Sequence, residues 1–572
     1  MNSETKVCQN CKKDFVIEPD DFAFYEKIKV PAPTFCSECR MMRRLLWRQH
    51  RTVYKRPCMM CGIETFGIYH PSVEMNIFCS ECWRSDKWDS RDYGIEVDFL
   101  RPFLDQMFEL RKKVPAESSY TLNSINCRYC IVVIDSKDCY FCFGSINSKS
   151  CLYCFAPFLS FNCIDSDVGR NMDSAYGCYN SSSIFRTQYV YFSEECISSS
   201  FLFNCIGCSD CFGCINLKSK KYHIFNEPFT QEEYKQKIKY WDMGSYAKVK
   251  EAEEKFNEIY YATPHKYAHI INSPDSVGDN IIGGKNCKQC FMALFGVENC
   301  KYILSSGLLL RDSQDVSFGG SNSQLMYETS GTEESKSIFF SRGGKVCSDV
   351  QYSENCTNSS NLFGCFQMRN RSYCILNKQY KKEEYEVLVP KIIEHMNKMP
   401  YISPRGIVYK YGEFFPIEFS PWKYNEAYAF DFIPLSRKEA VDQGFGWREE
   451  KQKGYVITKK VSELPDHIKD VSDSITQEII ECAHAESECD ELCSKAFRIV
   501  SDELEYYRKM NIALPRLCPN CRYSQRKRFK TTPKLYHRTC MKSSCKNEFE
   551  TAYSYDRKEI IYCDTCYKVD FL

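Results

Sequence analysis

The residues of this chain whose types and spacing can do chemistry are its cysteines. Residues 1–95 hold four Cys-x-x-Cys pairs: Cys8/Cys11, Cys36/Cys39, Cys58/Cys61 and Cys79/Cys82. Two thiolates at this spacing sit on one tight knuckle and aim at a common centre. Two knuckles complete a tetrahedral four-thiolate zinc site, with metal–sulfur distances of about 2.3 Å. Eight thiols therefore make two zinc sites. Sequential pairing (8/11/36/39 and 58/61/79/82) is the simplest. An interleaved pairing, first knuckle with third, has the same ligand count.

The C-terminal region repeats the spacing. Cys11 to Cys36 and Cys493 to Cys518 both enclose 24 residues, Cys39 to Cys58 and Cys521 to Cys540 both enclose 18, and Cys61 to Cys79 and Cys545 to Cys563 both enclose 17. Side chains between the knuckles agree as well: Tyr25 and Lys27 with Tyr507 and Lys509, Pro33 with Pro515, Arg40 with Arg522, Tyr54 and Arg56 with Tyr536 and Arg538. The expected ligands here are Cys489, Cys493, Cys518, Cys521, Cys540, Cys545, Cys563 and Cys566. Two knuckles are widened, Cys489/Cys493 and Cys540/Cys545, and Cys482 or His484 can stand in for Cys489. The cofactor expectation is zinc, about four ions per chain.

Each first zinc site runs into a basic helix. Arg40, Arg43 and Arg44 share one helix face, with Trp47 and Arg48 following; the copy carries Arg522, Arg526, Lys527, Arg528 and Phe529. Cations interleaved with aromatics suit phosphate contact and base stacking. The expected partner is therefore nucleic acid, RNA favoured, or else a protein complex. The competing reading is a basic face whose Trp and Leu pack on the zinc core.

Something must position these ends. From Ser124 the chain repeats every twelve residues: Ser124-Ile-Asn-Cys127-Arg-Tyr-Cys130, Ser136-Lys-Asp-Cys139-Tyr-Phe-Cys142, Ser148-Lys-Ser-Cys151-Leu-Tyr-Cys154, Ser160-Phe-Asn-Cys163. A short fixed period is the mark of a solenoid. Further on, Cys178, Cys196 and Cys214 are 18 apart, which suggests 18 to 24 residues per coil. An offset of 151 lays Cys196, Cys205, Cys214, Tyr222, Ile224 and Asn226 on Cys347, Cys356, Cys365, Tyr373, Ile375 and Asn377. The solenoid is thus duplicated. The ladder thiols read as small packed core residues; Cys205, Cys208, Cys211 and Cys214 are the set best spaced for metal, although i and i+3 on a flat strand point to opposite faces.

The expected fold is mainly β: a right-handed parallel β-solenoid in two arms, flanked by duplicated treble-clef or zinc-ribbon domains, with capping helices. The parse is 1–95 double zinc ribbon, 96–118 helix capping the first coil, 119–228 first arm, 229–262 helical insertion, 263–379 second arm, 380–399 helix, 400–475 extended aromatic strap, and 476–572 second double zinc ribbon. A capping box at Ser436 and Glu439, with Gly444 as the stop, marks one helix within the strap.

The motif string Cys8-x-x-Cys-Lys-Lys-Asp-Phe, Phe24-Tyr-Glu-Lys, Pro31-x-Pro-x-x-Cys-x-x-Cys-Arg, Tyr54-Lys-Arg-x-Cys-x-x-Cys, the Cys ladder and Ile375-Leu-Asn-Lys-Gln-Tyr resembles a family of uncharacterised zinc-ribbon, Cys-rich repeat proteins of uncultivated small-genome bacteria. The resemblance runs over essentially the whole chain. It implies this architecture and a bacterial cytosol, and no activity.

Thirty-seven cysteines stand against nine histidines, and 76 basic residues against 75 acidic ones. The balance gives no global attraction to a polyanion. The polar start carries no signal-peptide pattern and no apolar run is long enough to span a bilayer. A cytoplasmic setting with reduced thiols is expected, without a membrane partner. A catalytic role is not favoured. A solenoid carbohydrate enzyme would need paired carboxylates, for which Asp165, Asp167 and Asp173 are the tight acidic cluster on the ladder.

Overall fold

The computed structural model describes residues 2–571 except 171, 450–453, 455 and 487–491. The chain is mainly β, with parallel strands and peripheral helices. Strands of the first stack form sheets of five and seven, and those of the second a sheet of twelve. In the first stack Ile131 pairs with Phe143, and Phe143 with Phe155, so each layer lies twelve residues beyond the last. The second stack opens with steps of eleven and twelve (Ile270 to Ile281, Gly278 to Cys290), continues with thirteen (Lys285 to Glu298 to Arg311 to Gln324) and settles to twelve from Gln324 to Lys336 onward. The extra residue is absorbed in bends such as Phe295-Gly296 and Leu308-Leu309, where both residues have positive φ. In place of the expected period of 18 to 24 residues, paired strands lie 11 to 13 residues apart.

Why the layer is so short is visible in the backbone. A left-handed residue recurs at every third position: Asn126, Tyr129, Val132, Asp135, Asp138 and Phe141 have φ between 47° and 56°. Each such residue resets the pleat, so side chains three apart all point inward. The rule that i and i+3 face opposite ways fails here for that reason. Cys139, Cys142, Cys151, Cys154 and Cys163 are at most 1% exposed. Cys shares this interior with Val133, Ile184, Val190 and Leu202, and as a small side chain it can also satisfy inward-facing carbonyls. Cys142 donates Sγ–H to the carbonyls of Tyr140 at 3.5 Å and Cys151 at 3.1 Å. Ser136 plays the same part, donating to Ile134 O at 2.8 Å and accepting from Ser148 N–H at 3.1 Å.

Both stacks end alike. Asn226 accepts from Ile215 N–H and donates to Ile215 O; Asn377 does the same with Phe366. An antiparallel return follows each, then the helices Gln231–Lys237 and Lys382–Lys398. The helix expected from residue 96 starts later, at Phe103–Lys113, and lies on the second stack and not on the first coil. Its Phe103 meets Phe363 with ring centroids 5.3 Å apart, and its buried Arg111 pairs with Glu354 at 2.6 Å. The strap buries Tyr409, Phe414, Phe415, Trp422 and Tyr424, and its Ser436–Glu439 capping box is formed.

Candidate metal centres

Four groups of four thiols come together among the described residues: 8/11/36/39, 58/61/79/82, 482/493/518/521 and 540/545/563/566, the sulfurs of each lying within 4.8 Å of one another. The pairing is sequential. One local design recurs. A two-stranded hairpin carries the first knuckle in its turn, as between Glu4–Val7 and Asp14–Ile17 or Tyr54–Pro57 and Glu64–Gly67. The second knuckle begins a helix: Cys36 caps Ser37–Leu46, Cys79 caps Ser80–Arg84 and Cys518 caps Pro519–Arg526. The knuckles are tied by one hydrogen bond repeated four times, from the N–H of Cys36, Cys79, Cys518 and Cys563 to the sulfurs of Cys8, Cys58, Cys482 and Cys540, at 3.2–3.3 Å.

That repetition assigns Cys482 to the position of Cys8. Its N–H binds Lys495 O at 2.9 Å, as Cys8 N–H binds Lys13 O at 2.9 Å. Cys489 lies outside the described residues. Cys482 could be found from sequence only as an alternative, because the knuckle that it shares with Cys493 has been stretched and no longer reads as a pair.

The thiol sets fit zinc. Four sulfurs about 2.3 Å from a tetrahedral centre lie roughly 3.8 Å apart. Cys11–Cys36 and Cys545–Cys563 are 3.8 Å apart, and Cys61–Cys79 and Cys493–Cys518 are 3.9 Å apart. One thiol in each set (Cys8, Cys58, Cys518 and Cys563) is held towards the thiolate, the liganding form, while neighbours such as Cys39, Cys82, Cys521 and Cys566 are pushed up. Burial opposes ionisation of Cys58, but the N–H groups of Cys61, Cys79 and Met60 bring its pKa down to about 6. Cys563, facing Cys566 N–H and the Asn547 amide, is brought to about 7 against the same opposition. The ladder set Cys205/Cys208/Cys211/Cys214 is not among the thiol groups; its sulfurs donate to carbonyls such as Phe203 O and Cys214 O instead.

The basic residues expected to meet nucleic acid are placed elsewhere. Arg40, Arg43, Arg44 and Trp47 are at most 2% exposed. Arg40 and Arg44 pair with Asp315, each at 2.9 Å, and Arg43 pairs with Glu328 at 2.6 Å and Glu413 at 3.1 Å. Arg48 lies over the Phe318 ring at 4.6 Å. In the copy, Arg522 meets Asp165 at 2.7 Å and Arg526 meets Asp167 at 2.8 Å. Lys527 pairs with Asp431, Arg528 with Glu253 at 2.7 Å, and Phe529 packs on Tyr191 at 4.5 Å. The expectation of an exposed basic helix is corrected: Arg40, Arg43, Arg44, Arg522 and Arg526 pair with carboxylates of the stacks, while Glu413 and Asp431 of the strap and Glu253 of the helix Tyr246–Ala262 take Arg43, Lys527 and Arg528. The acidic cluster is corrected with it, since Asp165 and Asp167 are buried against arginines and closed to a sugar. Signals for the carboxylate partners Asp315, Glu328 and Glu413 were absent because each lies hundreds of residues from its arginine.

The docking is crossed. The first thiol unit of the N-terminal module sits on the second stack and that of the C-terminal module on the first, whereas the second units meet the other stack, Phe66 against Tyr129 at 4.7 Å and the strand Glu548–Thr551 against Val277–Ile282. Tyr25 packs on Tyr327 at 5.4 Å, and Tyr507 on Tyr176 at 5.6 Å; the two stack tyrosines are related by the same 151-residue offset. Among the described residues no helix is long and apolar enough to cross a membrane. No protein-family model matches the chain and no curated protein matches it, so the family resemblance drawn from its motifs is left with the four thiol groups as its support.

Proposed function

We propose that the protein is a non-enzymatic scaffold stapled by about four structural zinc ions. In this reading the stacks are the two arms of a β-solenoid, and the Cys modules are treble-clef-like clasps. The exposed outer faces of the arms serve a partner protein complex in a reducing compartment. The observation that carries it is the consumption of the charged groups: Arg40, Arg43, Arg44, Arg522 and Arg526 are buried in pairs with carboxylates of the stacks, their neighbours and the strap. Four-thiolate sites with no open position suit structure and not catalysis. The same burial speaks against RNA binding through these residues.

The test is metal analysis of protein purified without chelator, followed by affinity capture. About four zincs per chain and one stoichiometric protein partner, with no salt-dependent shift of a generic RNA, are expected. Two zincs or fewer, or an RNA shift abolished by salt, would overturn the reading.

A further inference from the structure

One difference between the duplicated halves lies beside the second knuckle of each first thiol set. With Cys36 laid on Cys518, Thr34 falls on Arg516 and Arg43 on Gln525. In the N-terminal half this place holds an anion, the carboxylate of Glu413. Oε1 accepts from Thr34 N–H at 2.9 Å and from Thr34 Oγ at 2.6 Å, and Oε2 accepts from Arg43 at 3.1 Å. In the C-terminal half Arg516 and Gln525 instead line a cavity of about 90 Å³, together with Arg522, Arg526, Arg528 and Lys250.

Charge at the cavity does not balance. The carboxylates are already engaged: Asp165 with Arg522 and Arg526, Asp167 with Arg526, Glu503 with Arg522, Glu253 with Arg528 and Lys250. No carboxylate of the described residues comes within ion-pair distance of Arg516, and Asp466 acts on it only from farther away. It donates Nη2–H to the carbonyls of Leu464 at 3.3 Å and Pro465 at 2.7 Å, and lies over the Tyr246 ring at 4.6 Å. Arg516 Nη1, Arg522 Nη1 and Arg528 Nε have no hydrogen-bond partner there, and Arg516 and Arg522 are each only 6% exposed. Buried guanidinium donors without acceptors are unfavourable, and their forked geometry matches an oxyanion.

We propose that this cavity binds a small tetrahedral oxyanion, of the inorganic phosphate or sulfate class, in the role that Glu413 fills in the other half. The bound ion neutralises the excess cation and fastens the C-terminal module to the first stack and to the helix Tyr246–Ala262.

The test is calorimetric titration of the full-length, zinc-loaded protein with inorganic phosphate and with sulfate, against chloride at matched ionic strength. A saturable one-site isotherm with either oxyanion and none with chloride is expected. Arg516→Gln should weaken the affinity at least about tenfold. Gln525→Glu, which puts a carboxylate into the cavity wall, should abolish oxyanion binding and raise the thermal midpoint in oxyanion-free buffer, with zinc content unchanged. Identical heats for phosphate and chloride in the native zinc-loaded protein would overturn the proposal. So would phosphate binding of unchanged affinity in Gln525→Glu.

Discussion

At the scale of residues, the sharpest question is which thiol completes the third centre. Cys482 holds the position of Cys8 through both its N–H and its sulfur. Cys482→Ser is expected to lose one zinc per chain, and Cys489→Ser to lose none, as read by metal analysis of the purified variants; full zinc in Cys482→Ser would refute the assignment. A second residue-scale prediction concerns His265. Burial pushes its pKa from 6.5 down to about 4, partly opposed by its contact with Tyr260 O. The folded state therefore takes up this proton only below about pH 4, while the unfolded chain takes it up below 6.5. The unfolded state binds more protons between those values, so stability falls as pH drops from 6.5 to 4, by up to roughly 3 kcal/mol for this group. Urea unfolding across that window should show a shallower acid loss in His265→Gln than in the parent. Equal slopes would contradict a buried neutral imidazole.

At the scale of elements, the stack owes its form to a triplet rhythm in which a left-handed residue follows every two extended ones. The cysteines of the ladder are there because they are small and can donate to a carbonyl. Cys142→Ser keeps a donor of similar size, whereas Cys142→Val removes the donor and crowds the interior. We expect the serine variant to stay within about 1 kcal/mol of the parent and the valine variant to lose roughly 2 kcal/mol or more, measured by denaturant midpoints at constant slope. A serine variant as damaged as the valine variant would mean that the sulfur itself matters, as in a metal or redox site. The twelve-residue beat was legible because Ser and Cys recur in register. The three-residue beat was harder to see, since outward positions accept many side chains, and it was this shorter beat that set the spacing between layers.

At the scale of the whole molecule, two charge clusters hold the ends on the stacks. Glu328 is fully buried, with Arg43 at 2.6 Å and Arg44 at 3.2 Å. Removing one partner of such a pair leaves the others uncompensated, at a cost of about 3–5 kcal/mol. Glu328→Gln should release the N-terminal module to limited proteolysis while the C-terminal module stays protected. Asp167→Asn, beside Arg526, should do the reverse. Because the two clusters have no shared partners, the losses in the double variant should add within about 0.5 kcal/mol. Simultaneous release of both modules by either single change would show that the halves are not independent.

The sequence alone was enough for the features that depend on local spacing. Cys-x-x-Cys pairs set far apart by non-repetitive sequence could be read as zinc knuckles, whereas the same spacing inside the twelve-residue repeat packs as core, and which knuckles pair was settled by the structure. The duplication of ends and stacks could be read because it is written as equal intervals. Only the tertiary structure decided what the basic helices do. A run such as Arg40, Arg43 and Arg44 looks the same whether it faces solvent, a phosphate backbone or buried carboxylates. What separates these cases is the desolvation of Arg43 against Glu328, a residue hundreds of positions away that no local pattern links to it. The same holds for the place where Glu413 meets Arg43 in one half but no carboxylate of the described residues comes within ion-pair distance of Arg516 in the other: charge balance is a property of neighbours in space, and the chain chooses those only by folding.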